Sequence, residues 1–273
     1  MALSTLNFES KYLNGNTTVN IILPDRPRDT PPGEFYTRQK KYKVLWLLHG
    51  TYGDHSDWLR RSNIETYACE KDLIVVMPGV QNSDYTSWPK FACGFDAESF
   101  LIDELMPLVY NWFPASDKRE DNFIAGLSMG GQGSARYAAW YPEKFAAAAI
   151  LSGSPNNWRS LSEETKAMPR TANQLETEGG LDGLLCSHTN VWDRIGQLAD
   201  TGKLPRLYIT SGTDDFLYHE WYLPFKQYAQ QIGLDATFEE VEGYGHEWRF
   251  WDLAIQRSLD FFGLDNKPHG NEY

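Results

Sequence analysis

Short runs of consecutive apolar residues alternate along this chain with longer stretches in which apolar positions recur every three or four residues. The runs at 42–48 (YKVLWLL), 73–77 (LIVVM), 123–125 (FIA), 146–151 (AAAAIL) and 206–209 (RLYI) carry almost no polar interruption. That is the mark of strands covered on both faces, as in a parallel sheet. The β-branched stretch 17–23, closed by Pro24, and the segment 236–241 add two more strands. Helical spacing predicts a helix over 63–71 and another over 95–113, where Phe100, Leu101, Leu105, Leu108, Val109 and Trp112 share a face. Further helices are predicted after residue 128, over 220–232, and from Trp248 through Trp251, Leu253, Ile255 and Leu259. Strand and helix in alternation predict an α/β fold with a mostly parallel central sheet flanked by helices, as one domain over residues 1–273.

Three stretches break the alternation. Residues 25–41 are polar and proline-rich and read as a long surface connection. Residues 81–94 (QNSDYTSWPKFACG) form an aromatic loop leaving a strand at its carboxyl end, where open α/β sheets hold ligands, so Tyr85 and Trp88 are candidates to line a pocket. Residues 156–204 are polar and broken by Gly179, Gly180 and Gly183. They are too short and polar to own a core and predict a cap-like insertion rather than a second domain.

The chemistry concentrates where the run Phe123-Ile124-Ala125 passes through Gly126-Leu127-Ser128-Met129-Gly130 into a Gly- and Ala-rich helix. Gly-x-Ser-x-Gly is a weak signal alone. Between a strand and a helix it is a nucleophile elbow, a turn so sharp that glycine is needed on its flanks and the serine Oγ is pushed out over the sheet. A serine hydroxyl at neutral pH needs a base, and the base needs an orienting carboxylate. Ser128, the pair Asp214-Asp215 and His246 follow in the order Ser, Asp, His, each in a loop after a predicted strand. Among the histidines, His246 alone lies between the last strand and the last helix, while His188 and His219 flank the acidic loop and His269 sits in a polar tail. His49-Gly50-Thr51 ends an earlier strand, where a backbone N–H supplies half of an oxyanion hole; the expected donors are the N–H groups of Thr51 and Met129. His49 suits a structural hydrogen bond better than catalysis. Tyr52, Trp88 and Trp158 are expected to wall a single compact acyl or aryl pocket.

Charge and composition narrow the partner. A net charge of −12, from 37 acidic and 25 basic residues, argues against nucleic acid and acidic membranes and favours a small neutral molecule. No apolar run approaches the roughly 18 residues of a membrane span, and MALSTLNFES lacks a basic and then apolar leader, so a soluble cytoplasmic protein is expected. Cys69, Cys93 and Cys186 are widely spaced with no Cys-x-x-Cys pair, which predicts buried free thiols rather than disulfides or zinc. Asp54-His55-x-Asp57 fits no zinc spacing, and neither metal nor cofactor is expected.

The segments LLHGTYGDHSDW, GLSMGG, GTDDFLY and GYGHEW together resemble the esterase D group of α/β-hydrolases over roughly residues 5–263. The nearest likeness is to bacterial tributyrin, acetyl and cinnamoyl esterases; S-formylglutathione hydrolases belong to the same group. The resemblance implies an α/β-hydrolase fold and a serine esterase, with the second acidic residue of the pair, Asp215, as the third triad member. It implies a small-molecule ester as substrate, with a carbohydrate-linked alcohol and a homo-oligomer left open. The reading is therefore a carboxylesterase for short-chain acyl or small aromatic-acid esters. Its rivals are an acyltransferase with the same triad, a thioesterase like S-formylglutathione hydrolase, and a glycan-binding scaffold suggested by the many aromatic residues.

Overall fold

In the computed structural model, residues 2–266 are described; His269 lies outside them. Eight strands form one sheet: β1 (Ala2–Ser10), β2 (Gly15–Leu23), β3 (Val44–Leu48), β4 (Ile74–Pro78), β5 (Asn122–Leu127), β6 (Ala147–Leu151), β7 (Arg206–Gly212) and β8 (Ala236–Val241). Their spatial order is β1-β2-β4-β3-β5-β6-β7-β8, with β3 to β8 parallel and β1–β2 an antiparallel hairpin at one edge. This is the α/β-hydrolase arrangement, a mostly parallel sheet with helices on both faces.

The apolar runs fill both faces because side chains alternate along a strand. Val44, Trp46 and Leu48 of β3 enter one hydrophobic layer with Ala135 and Ala138 of the helix Met129–Trp140. Leu45 and Leu47 enter the opposite layer with Phe250, Ile255 and Leu259 of the helix Trp248–Phe261. Each such fully buried aliphatic side chain contributes about 1.5–3 kcal/mol. The first turn of β5 is held by Asn122, whose Oδ1 accepts from Trp46 Nε1 at 3.0 Å and Tyr110 Oη at 2.9 Å while its Nδ2 donates to the carbonyls of Ser116 and Lys118. A buried amide so fully paired fixes where the central strand begins.

The structure departs from the sequence reading in several places. β1 is an additional strand: it hydrogen-bonds on one side only and leaves Leu3 exposed, so its apolar pattern is diluted. The connection 25–41 contains a helix, Pro32–Thr37, opened by proline in its first turn, and a second short helix, Asp57–Arg61, precedes Ile64–Glu70. The helix predicted over 95–113 runs from Ala97 to Trp112 with a π-helical turn at Phe100–Leu105. Cys69 is a buried thiol as expected, but Cys93 and Cys186 are exposed because both sit in loops clear of the core.

Within 156–204, the helices Glu163–Ala167, Pro169–Thr177 and Leu181–Leu185 lie outside the sheet layers. The last helix of that stretch, Val191–Leu198, differs from the cap reading: Val191, Trp192 and Ile195 pack into the main core. It is amphipathic and serves as the crossover between β6 and β7. No helix among the described residues is long and apolar enough to cross a membrane.

Candidate active site

The carboxyl ends of β3, β5, β6, β7 and β8 converge on one rim of the sheet, and each delivers a residue of interest. Ser128 follows β5 with φ 52 and ψ −116, a strained conformation for a residue with a side chain. The strain is imposed by backbone contact. A Cβ on Gly126 would lie 2.4 Å from the Gly130 carbonyl oxygen, and one on Gly130 would lie 2.5 Å from that of Leu48. A Cβ on Gly153, after β6, would meet the Ser128 oxygen at 2.3 Å. The Ser128 N–H donates to Leu151 O at 2.8 Å, and Ser128 O accepts from Gln132 N–H at 3.0 Å. Strand, neighbouring strand and helix thus leave the serine one place to be.

After β7, Asp215 is buried and Asp214 exposed. Asp215 Oδ2 accepts from His246 Nδ1 at 2.8 Å, and its Oδ1 accepts from the Leu217 N–H at 2.8 Å. Burial alone would raise the Asp215 carboxyl; the hydrogen bond and charge of His246, with the donors of Leu217 and Ser152, outweigh it and hold the group below its ordinary value. His246 follows β8, and its ring packs edge-on against Trp251 at 4.9 Å and beside Phe216 at 4.7 Å. Trp251 Nε1 in turn donates to Ser152 Oγ at 3.1 Å, and Ser152 is also a donor to the Asp215 carboxylate. No hydrogen bond joins Ser128 Oγ to His246 among the described residues.

The turn after β3 presses on the elbow: a Cβ on Gly50 would lie 2.4 Å from Leu127 Cδ1 and 3.6 Å from Ser128 Cβ. Thr51 therefore lies against the turn that carries Ser128. Its N–H, and that of Met129 at the first position of the helix Met129–Trp140, have no protein acceptor among the described residues. His49 braces this turn: Nδ1 faces Gly50 O at 2.7 Å and Nε2 accepts from the Val80 N–H at 3.1 Å. Those roles make the neutral ring the fitting form, and burial lowers its pKa to about 4. Tyr85 is a correction to the pocket reading. It is wholly buried, and its hydroxyl donates to His49 O at 3.1 Å beneath the same turn.

Two cavities flank Thr51. One of about 510 Å³ contains Ser128, Met129, Gln132, Trp158, Met168 and Leu217 among its walls. The other, about 670 Å³, is walled by Tyr52, Trp88, Phe91, Phe95 and Asn173. Tyr52 and Trp88 thus do not share a cavity with Trp158, contrary to the expectation of a single pocket. The reason is Arg170, from the helix Pro169–Thr177, which lines both cavities and reaches between them. Its Nε donates to Asp84 Oδ2 at 2.6 Å, its Nη2 to Asp84 Oδ1, and its Nη1 to Thr51 Oγ1 at 2.8 Å. Arg170 and Asp84 carry no local sequence signal for this contact, because 86 residues separate them.

A family description reading "Putative esterase" matches residues 10–262. An acetyl esterase of Caldicellulosiruptor saccharolyticus is 31% identical to this chain, over 96% of this chain and 98% of that protein. FphF, a fluorophosphonate-binding serine hydrolase of Staphylococcus aureus, superposes with a TM-score of 0.78 at 30% identity, covering 96% of this chain and 98% of that one. An S-formylglutathione hydrolase of the same organism superposes with a TM-score of 0.77, at 30% identity and the same coverage.

Proposed function

We propose that this chain, which belongs to the Putative esterase family, uses Ser128 as nucleophile, His246 as general base and acid, and Asp215 as the carboxylate that orients the imidazole. The chain is a carboxylic ester hydrolase acting on small-molecule esters. The single observation that carries the proposed roles is the buried Asp215–His246 pair on the rim that presents Ser128. With Nδ1–H engaged by Asp215, Nε2 is left as the basic nitrogen that takes the serine proton.

In the first half-reaction Ser128 Oγ adds to the ester carbonyl, and the oxyanion is received by the N–H groups of Thr51 and Met129. Collapse of the intermediate expels the alcohol, which His246 protonates, and leaves an acyl-serine. Water, deprotonated by His246, then adds to that acyl group, and the carboxylic acid departs as Ser128 recovers its proton. The two fixed amides stabilise each oxyanion without the reorganisation that solvent would need. Phe216, Trp158, Met168 and Leu217 give the otherwise polar cavity beside Ser128 an apolar patch that favours short acyl or small aromatic acid groups.

A thioester substrate is the second reading, favoured by the likeness to an S-formylglutathione hydrolase. A panel of aryl esters from acetate to decanoate, methyl ferulate, acetylated xylan and an acyl-glutathione thioester separates the readings. We expect kcat/KM to peak at short or small aromatic acyl groups and fall at least tenfold by decanoate. A flat profile, or an optimum at decanoate, contradicts the compact cavity. Ser128→Ala is expected to keep the fold and lose roughly 10⁴-fold or more in kcat. Activity within tenfold of the parent would remove Ser128 from its role.

A further inference from the structure

We propose that Arg170 is a positioning residue for the oxyanion hole, through which the cap-like segment takes part in the chemistry. The proposal rests on the role given above to the Thr51 N–H. Besides the Tyr85 hydroxyl beneath it, the turn carrying that amide is held on three sides. His49 braces it from within, and Asn82 Oδ1 accepts from the Tyr52 N–H at 2.7 Å, which supports Tyr52 at φ 63. The third hold is Arg170 Nη1 on Thr51 Oγ1, the one of these contacts that comes from 156–204.

The geometry of this third hold is fixed by the guanidinium. A two-pronged pair with Asp84 sets the plane of the group and leaves Nη1 aimed at Thr51. Asp84 is itself anchored: it has φ 54, and its carbonyl accepts from Arg136, a buried residue of the helix that begins at Met129. The Asp84 carboxylate is mostly buried while Arg170 is 38% exposed, so the anchor is rigid and the arm reaches from the surface. Helix Met129–Trp140, loop 81–94, helix Pro169–Thr177 and the Thr51 turn are thereby joined in one network of charge-assisted hydrogen bonds. Because the oxyanion forms only during reaction, an error in the direction of the Thr51 N–H is felt in kcat and little in KM.

The test is a double-mutant cycle of Arg170→Met and Thr51→Val on 4-nitrophenyl acetate, with thermal unfolding of each variant and Ser128→Ala alongside. Thr51→Val keeps the backbone amide and removes only the hydroxyl. Each single variant is expected to lower kcat roughly tenfold with KM within about twofold, and the double variant to fall no more than about twofold below the weaker single. Arg170→Lys, which keeps a donor without the fork, is expected to recover part of the loss. Independent effects multiplying to roughly 100-fold, a change confined to KM, or kcat in Thr51→Val within about twofold of the parent would each overturn the proposal. If Arg170→Met does not fold, the Thr51→Val result alone decides. Ser128→Ala reports on the nucleophile separately: an active Ser128→Ala variant defeats the esterase mechanism, whereas with an inert one the cycle alone determines whether Arg170 positions the turn.

Discussion

The elbow, Asn122 to Trp140, and the cap, residues 156–190, both border the candidate site, yet they are held by opposite means. At the elbow nearly every residue is buried, and glycines bring main chain against main chain at distances no Cβ would permit. The cap is held by side chains: Arg159 on Asp193 at 2.7 and 2.9 Å, Trp158 Nε1 on the Thr189 main-chain carbonyl at 3.3 Å, and Arg170 on Asp84. Close backbone packing has one solution and tolerates little change. A few side-chain pairs on polar helices can be exchanged at small cost in stability. The position of Ser128 is therefore a property of the fold, whereas the shape of the cavity beside it is a property of this chain.

The sharpest way to break that contrast is at the carboxylate. Asp215→Asn is expected to lower kcat by roughly 10³- to 10⁴-fold, because an amide in that buried position favours the wrong imidazole tautomer. Asp214→Asn, at the exposed neighbour, is expected to stay within about threefold of the parent. Steady-state kinetics of the two variants decide the matter, and a reversed ranking removes Asp215 from its role.

Stability sharpens the contrast further. Gly130→Ala places a methyl 2.5 Å from Leu48 O and 2.6 Å from His49 O, both main-chain atoms that cannot yield separately. We expect a loss of about 1–3 kcal/mol or more, read as a lower urea midpoint at unchanged slope. Trp158→Ala, in the cap, is expected to cost about 1 kcal/mol or less and to shift relative kcat/KM toward longer acyl chains by roughly tenfold. A Trp158→Ala variant as destabilised as Gly130→Ala, or one with the parent's acyl profile, would show that the cap is not the adaptable wall described here.

The same contrast explains what could be read from the sequence. The elbow was legible because its turn admits few residues, and Gly126 and Gly130 advertise the contact they must make. The parallel strands were legible because burial on both faces leaves an unbroken apolar run, as in Val44–Leu48. Choosing Asp215 over Asp214 needed the family resemblance, since adjacent carboxylates differ only in where the fold points them. The edge strand Ala2–Ser10 leaves a weak signal because two of its inward positions are serines, Ser4 and Ser10, so that Leu6 and Phe8 alone carry the apolar alternation. The division of the groove escaped for a different reason: Arg170, Asp84 and Thr51 look like ordinary surface residues until helix Pro169–Thr177 lies across loop 81–94. Contacts between distant loops leave no periodicity behind.

The distribution of the site over the rim has a consequence for how activity arises during folding. Ser128, Asp215 and His246 stand after β5, β7 and β8, and the His246 ring packs on Trp251 of the following helix. A chain emerging from the ribosome carries Ser128, the proposed nucleophile, well before His246, the proposed base, and the elbow strand has its neighbour β6 long before β7 and β8 are made. On the proposed mechanism such a nascent chain is chemically silent, because it holds Ser128 with nothing to deprotonate it. On the proposed roles, hydrolysis is expected to switch on only when the last strands have docked in parallel register, the slow, long-range step of assembling such a sheet. Appearance of ester turnover is therefore expected to mark docking of β7 and β8, and a refolding assay that follows product is expected to lag one that follows burial of Trp46 in β3.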